Sequence, residues 1–253
     1  MKTVKTGNLI IGQGRPALCA SVAEKSEESI LNAVGLVNSS ACDLFELRID
    51  HFDKAEDICA VTALLEKVRE KAQKPMIFTF RRKCEGGERM AETCFYRSLI
   101  KEAAGRALAD IIDIEASSLD GDSTFVKEIK DTGCAVIVSK HDFSKTPSKE
   151  EITAVFKEMA GLEGDIIKAA YMPNSRQDVM NLMQACLEVE QQICCPVIAV
   201  SMGASGIISR IMGEFFKSAV TFASLTRASA PGQIDVQELS GVLDLIHENM
   251  VKA

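Results

Sequence analysis

Eight short apolar runs, each bounded by turn-forming residues and followed by an amphipathic stretch, recur at even spacing along this chain. They fall near 17–22, 43–49, 75–81, 110–116, 135–141, 165–170, 196–202 and 219–223. Between them, apolar residues take helical spacing. Ile58, Val61, Leu65 and Val68 share a face, as do Val179, Leu182, Met183 and Cys186, and later Val236, Leu239, Leu243, Ile246 and Met250. Strict strand–helix alternation forces parallel pairing through right-handed crossovers, and eight such units close a (β/α)8 TIM barrel. An open, doubly wound α/β sheet is the alternative architecture. Ahead of the first run, Val4 to Gly12 reads as a β-hairpin turning at Gly7-Asn8, placed to close the barrel's N-terminal end. With 253 residues and no linker or low-complexity tract, residues 1–253 are expected to form one barrel domain.

Composition narrows the function classes. A net charge of −7 argues against nucleic acid or an anionic membrane as partner. No run approaches the roughly 18 apolar residues of a membrane span, and the N-terminus lacks a signal peptide's apolar core, so a cytoplasmic protein is expected. The nine cysteines show no Cys-x-x-Cys spacing, and none of the three histidines stands at ligand spacing from them. They are read as reduced, buried, small apolar residues, with no metal site.

Alternation within the strands sorts side chains by face, and one parity collects the polar ones. Glu46 falls with Arg48, Thr79 with Arg81, Asp113 with Glu115, Ser139 with His141, and Lys168 follows Ile166. In a barrel the apolar parity faces the helices. The polar parity then points into the lumen, toward the C-terminal ends of the strands where barrel active sites are built. Unpaired buried ions are costly, so these groups are expected to be paired or arranged around a polar ligand.

Lys168 is the sharpest of them. An ammonium set in an apolar wall loses hydration, which favours the neutral amine, a nucleophile toward carbonyls. A strand-terminal lysine also commonly snorkels to water, Glu46 with Arg48 would serve as a structural ion pair, and His141 with Asp142 as a satisfied turn histidine. Glu85 lies in the loop Arg81-Arg82-Lys83-Cys84-Glu85-Gly86-Gly87-Glu88, where a Gly-Gly pair permits tight backbone geometry. Met202 to Gly206 is compatible with anion binding at a helix N-terminus or with simple capping.

Together these segments resemble the type I 3-dehydroquinate dehydratases, the Schiff-base family of the shikimate pathway. The resemblance runs along nearly the whole chain. It is carried by Glu46-Leu47-Arg48-Ile49-Asp50, Phe78-Thr79-Phe80-Arg81 with Glu85-Gly86-Gly87, Ser139-Lys140-His141-Asp142-Phe143, Lys168, Ser201-Met202-Gly203, Ser209-Arg210 and Ser229-Ala230-Pro231-Gly232-Gln233. It implies a lyase that dehydrates 3-dehydroquinate to 3-dehydroshikimate through an imine on Lys168, with His141 as general acid and base and Glu85 orienting it. It further implies that Arg210 clamps the substrate carboxylate, and that Glu46, Arg48 and Arg81 hold ring hydroxyls and balance charge. Ser21, Ser229 and Gln233 would complete the binding site, the last two from a lid loop. Asp113 and Glu115 would stand behind Lys168. No cofactor is implied, and the family expectation is a homodimer.

Two other readings fit the residues themselves. A class I aldolase also forms an imine on a barrel lysine, although Arg210 suits a carboxylate better than a sugar phosphate. A metabolite-binding barrel without chemistry would show no trapped imine. Strand parity chooses Arg81 over Arg82 as the arginine that enters the pocket.

Overall fold

A computed structural model describes residues 2–225 and 231–252. The hairpin is formed by β1 (Val4–Thr6) and β2 (Leu9–Ile11), with Gly7 at φ +57° in the turn. Eight further strands follow in chain order: β3 (Ala17–Val22), β4 (Leu44–Arg48), β5 (Met76–Thr79), β6 (Ile111–Glu115), β7 (Ala135–Asp142), β8 (Ile166–Tyr171), β9 (Val197–Ser201) and β10 (Val220–Ser224). They pair in parallel in the order β10-β3-β4-β5-β6-β7-β8-β9. The Ala219 N–H donates to the Val197 carbonyl (2.7 Å) and the Ala199 N–H to Ser218 Oγ (3.0 Å), which brings the two edges together and makes the sheet a barrel.

The outer layer consists of α1 (Glu27–Ser39), α2 (Ile58–Lys71), α3 (Thr93–Gly105), α4 (Thr124–Lys130), α5 (Lys149–Gly161), α6 (Arg176–Glu190), the short α7 (Ile207–Ile211) and α8 (Gly213–Phe216), and α9 (Val236–Val251). Their starts are written in the sequence. Ser26, Ser148 and Ser175 each accept from the N3 backbone N–H in a capping box, while Asp57 and Asp235 each accept two first-turn N–H groups. The stripes at Val61, Leu65 and Val68 and at Val179, Leu182 and Cys186 are buried. That of α9 fades after Leu243, and Met250 is exposed.

Alternation gives the barrel two cores. Phe45, Leu47, Phe78, Ile112, Ile114, Val136, Val138, Ile167 and Ala169 face the helices. Inside, Leu44, Ile77, Ile111, Ile137, Ile166 and Ile198 fill the N-terminal half of the lumen, and Ile11 of β2 packs against them as the hairpin closes that end. Each fully buried aliphatic side chain contributes roughly 1.5–3 kcal/mol, so this dry layer holds the strands rigid beneath the polar one.

All nine cysteines are free thiols. Only Cys19, Cys42, Cys134 and Cys186 are buried, whereas Cys59, Cys84, Cys94 and Cys194 are exposed and Cys195 is half-buried. The expectation of uniformly buried thiols therefore fails for residues on solvent-facing helix turns and loops. Among the described residues no helix is long and apolar enough to cross a membrane.

Candidate active site

Two residues beyond the isoleucine layer, on the same parity, the strands present Glu46, Thr79, Asp113, Ser139 and Lys168, all buried. Two residues further stand Arg48, Arg81, Glu115 and His141. They rim or underlie a cleft at the C-terminal end of the barrel, lined in part by Ser21, Glu46, Arg48, Arg81, Glu85, His141, Lys168, Arg210 and Gln233. Strand parity brings Ser21, Glu46, Arg48, Arg81, His141 and Lys168 to one place, and the loop after β5, α7 and the 231–233 segment add Glu85, Arg210 and Gln233. Ser229 lies outside the described residues.

Lys168 is 5% exposed and does not snorkel. It does not stand in the apolar wall expected from its strand, because two carboxylates face it. Its Nζ lies 3.3 Å from Glu46 Oε1, 3.8 Å from Asp113 Oδ2, and 4.2 Å from the centroid of the Phe222 ring. Glu46 Oε1 also accepts from Thr79 Oγ1 (3.0 Å), which fixes the carboxylate. Asp113 Oδ1 accepts from Arg81 Nη2 and Ser139 Oγ, both at 2.7 Å, while its buried Oδ2 has no hydrogen-bond partner among the described residues. Burial pushes the Asp113 carboxyl up, but the Arg81 and Lys168 charges outweigh it and hold it below the usual carboxylate range.

His141 follows Ser139 on β7, and Ser139 is in register with Lys168 on β8. Burial, and then the Arg81 and Lys168 charges, hold its imidazole well below the ordinary value, so the ring is neutral at pH 7. Its Nδ1 lies 3.1 Å from Glu85 Oε2, which also accepts the His141 backbone N–H at 3.0 Å. An oxygen already accepting one N–H is placed to accept a second, which assigns the proton to Nδ1 and leaves Nε2 bare. Glu85 Oε1 accepts from Ser117 Oγ (2.6 Å). Burial nonetheless pushes the Glu85 carboxyl up, more than Arg81 and Ser117 pull it down.

The loop after β5 makes this possible. The chain turns through a 3-10 segment, Lys83–Glu85, and Gly86 takes φ +85° beneath the Phe143 ring. Gly87 packs on the Arg81 carbonyl so closely that a Cβ there would clash with backbone. Arg81 turns inward, as parity requires, and bonds Asp113, Glu115 Oε1 (3.2 Å) and Ser139 Oγ (3.1 Å). Burial opposes its charge, but Asp113, Glu115 and Glu85 overcome that and keep it ionised. Arg82 points the other way, bonding Glu115 Oε2 and Ser117 Oγ and stacking over Tyr96.

Arg210 differs from the other cations. It is 2% exposed, donates to the carbonyls of Phe222 (3.0 Å) and Pro231 (3.3 Å), and its buried Nε has no partner among the described residues. Among the described residues it makes no ion pair, and burial pushes it down to about 10. A buried guanidinium without a counter-charge favours an anionic ligand. The Gly203 N–H donates to the Pro231 carbonyl (3.0 Å), so the turn after β9 docks the 231–233 segment rather than offering that N–H to an anion. Gln233 Nε2 reaches Ser21 Oγ at 3.2 Å across the mouth of the cleft.

Three lining residues were not singled out from sequence, Ala170, Val200 and Phe222, while Phe143 and Met202 entered only within longer motifs and without a role of their own in the cleft. Phe222 had a readable signal, since it shares the inward parity of β10 with Val220. Ser117 had none, because its reach to Glu85 depends on a 3-10 turn, Ala116–Ser118, after β6.

Residues 18–250 match the family model of type I 3-dehydroquinase. A 3-dehydroquinate dehydratase of Clostridium novyi is 40% identical over 98% of this chain and 99% of its own. That of Shigella boydii is 39% identical over 98% of this chain and 100% of its own. Among solved structures, a type I 3-dehydroquinate dehydratase from Clostridium difficile, with covalent modified comenic acid, superposes with a TM-score of 0.94 at 37% identity. It covers 98% of this chain and 100% of that one.

Proposed function

The chain belongs to the type I 3-dehydroquinase family, hydro-lyases of the shikimate pathway, and from that premise we propose that it dehydrates 3-dehydroquinate through a Schiff base on Lys168. The observation that carries this reading is the buried Lys168 amine, held against Glu46 and Asp113 on the strand next to a neutral His141. The Lys168 nitrogen passes a proton to the neutral His141 and attacks the substrate ketone, and the same proton, returned to the carbinolamine hydroxyl, lets it leave as water and gives an iminium. That cation draws electrons from the adjacent carbon, whose proton passes to His141 Nε2 and leaves an enamine. The enamine expels the β-hydroxyl, which takes the proton back from His141 and departs as water. Hydrolysis of the conjugated iminium frees 3-dehydroshikimate and regenerates the lysine, so the net change is loss of one water.

The surroundings support each step. Glu85 fixes the imidazole orientation from Nδ1 and stabilises the imidazolium formed in mid-cycle. Phe222 faces the Lys168 nitrogen, where an iminium charge keeps the same cation–π contact. Asp113 and Glu115 hold Arg81 and, through Asp113, the lysine. Arg210 takes the substrate carboxylate. Glu46 and Arg48 hold ring hydroxyls, while Arg81, its donors largely committed, contributes mainly positive charge. Ser21, Gln233 and Ser229 close the mouth. We read residues 1–253 as one domain, acting in the cytoplasm without a cofactor and as a homodimer. The exposed apolar side chains of Met180 and Leu187 on α6, Ile208 on α7 and Phe215 on α8 support the last point.

The test is borohydride reduction in the presence of 3-dehydroquinate, followed by intact mass and peptide mapping. The expected result is one adduct on Lys168, its loss in Lys168→Ala, and rising absorbance of the conjugated enone product in the unreduced reaction. An adduct that persists in folded Lys168→Ala would falsify the assignment.

A further inference from the structure

Asp50 is fully buried, just past the end of β4 in the 3-10 turn Ile49–His51, and does not line the cleft. Its carboxylate nevertheless gathers four N–H donors from two different elements. Arg48 Nε donates to Oδ1 and Arg48 Nη2 to Oδ2, both at 2.8 Å, in a bidentate pair. The Arg81 backbone N–H donates to Oδ1 and the Glu88 backbone N–H to Oδ2, both at 3.2 Å. His51 Nε2 stands 3.8 Å from Oδ2. Burial pushes this carboxyl up, but the Arg48 charge and hydrogen bonds outweigh it, so it is ionised at neutral pH.

The two backbone donors bracket the loop that carries Glu85. Arg81 is the residue where β5 runs into that loop, and Glu88 follows the Gly86-Gly87 pair. One carboxylate therefore fixes the direction of the Arg48 guanidinium and pins both ends of the segment that presents Glu85 to His141. Two of the five Arg48 N–H groups are spent on Asp50, which leaves three for a ligand in the cleft. We propose that Asp50 is a positioning residue for the dehydration, coupling the substrate-binding Arg48 to the Glu85 loop. The proposal rests on Arg48 being a substrate ligand, as read above.

Replacing Asp50 by Asn keeps the volume but turns an amide N–H₂ toward donors that need an acceptor, and it removes the counter-charge that holds the arginine. Steady-state kinetics on Arg48→Gln, Asp50→Asn and the double variant form the test, with thermal melting to verify folding. Asp50→Glu serves if Asp50→Asn does not fold, since it keeps the charge and misplaces it by a methylene. The expected result is a KM for 3-dehydroquinate raised about 10- to 100-fold in each single variant, the size that a misaimed binding group produces. The double variant should raise KM little more than Arg48→Gln alone, because Asp50 acts on binding through that arginine, while kcat falls wherever Asp50 is replaced, as the Glu85 loop loosens. A merely structural carboxylate would lower the melting temperature, yet its effect on KM would add to that of Arg48→Gln, and additive changes in KM overturn the proposal. An unchanged KM in Arg48→Gln overturns the reading of Arg48 as a ligand, and the positioning role falls with it. A raised KM there beside an unchanged KM in folded Asp50→Asn or Asp50→Glu overturns the positioning role alone.

Discussion

His141 and Arg210 show how burial can serve opposite ends within one cleft. Burial and the neighbouring cations keep His141 neutral, which gives a base at pH 7, whereas Arg210 is a buried cation without a counter-ion among the described residues, which gives an anion receptor. Removing the base should stop chemistry without stopping imine formation. His141→Ala is expected to lower kcat by about 10²- to 10⁴-fold, the usual worth of positioned acid–base catalysis, while borohydride still traps a slowly formed adduct on Lys168. Turnover close to wild type would assign the proton transfers elsewhere. Arg210→Ala should instead act on binding. The loss of a charge-assisted pair worth roughly 3 kcal/mol corresponds to a KM about 100-fold higher, with a smaller change in kcat, measurable by initial rates. If the methyl ester of the substrate bound to wild type as tightly as the acid does, the carboxylate partner would have to be another residue.

At the scale of elements, the glycines after β5 decide whether Glu85 reaches His141. Gly87 has no room for a Cβ, because the Arg81 carbonyl occupies that space. Gly87→Ala must therefore displace the backbone at Arg81 or the loop itself. The expected outcome is a destabilisation of about 1–3 kcal/mol, as for other overpacked sites, together with a fall in kcat as the Glu85–His141 contact loosens. Calorimetry and kinetics on the same preparation check it, and an unaffected kcat would show that the loop's exact path is immaterial. This loop also marks the boundary of what sequence makes legible. The strands, their parity and the hairpin were readable because period-two alternation and turn residues are local signals. The same parity placed Arg81 inward and Arg82 away from the cleft. Glu46 was not readable as a neighbour of Lys168, since it lies 122 residues away and meets the lysine only when the sheet closes, whereas Asp113 was placed behind the lysine by the family resemblance and not by any local pattern. Asp50 was hidden for a related reason: a 3-10 turn breaks the alternation there, and its donors Arg81 and Glu88 belong to another βα unit. The thiols were misplaced because helix periodicity alone does not say which short loops and helix ends remain open to water.

On the scale of the whole molecule, the barrel divides its lumen into a dry half that stabilises and a charged half that binds, and the charged half makes folding stability depend on pH. The groups pull in different directions. Asp50 and Asp113, held below their ordinary 3.8, add stability that is lost only as pH falls below that value. Glu85 and Glu115 are held above 4.5, so between that value and their raised ones the native state binds more protons and gains stability as pH falls. His141 opposes them. Its native value lies well below the ordinary 6.5, so within that window the unfolded chain takes the proton and the native state does not. Its contribution is complete above 6.5 and falls as pH drops through the window, at about 1.4 kcal/mol per pH unit. Comparing wild type with His141→Asn isolates this contribution, because the carboxylates remain in both proteins. The melting temperature of wild type should therefore drop further between about pH 7.5 and about pH 5.5 than that of the variant, by a few degrees for a chain of this length. Equal slopes in the two proteins would mean that His141 takes up a proton in the native barrel as readily as in the unfolded chain, and the neutral base required by the proposed proton transfer would have to be sought in another group.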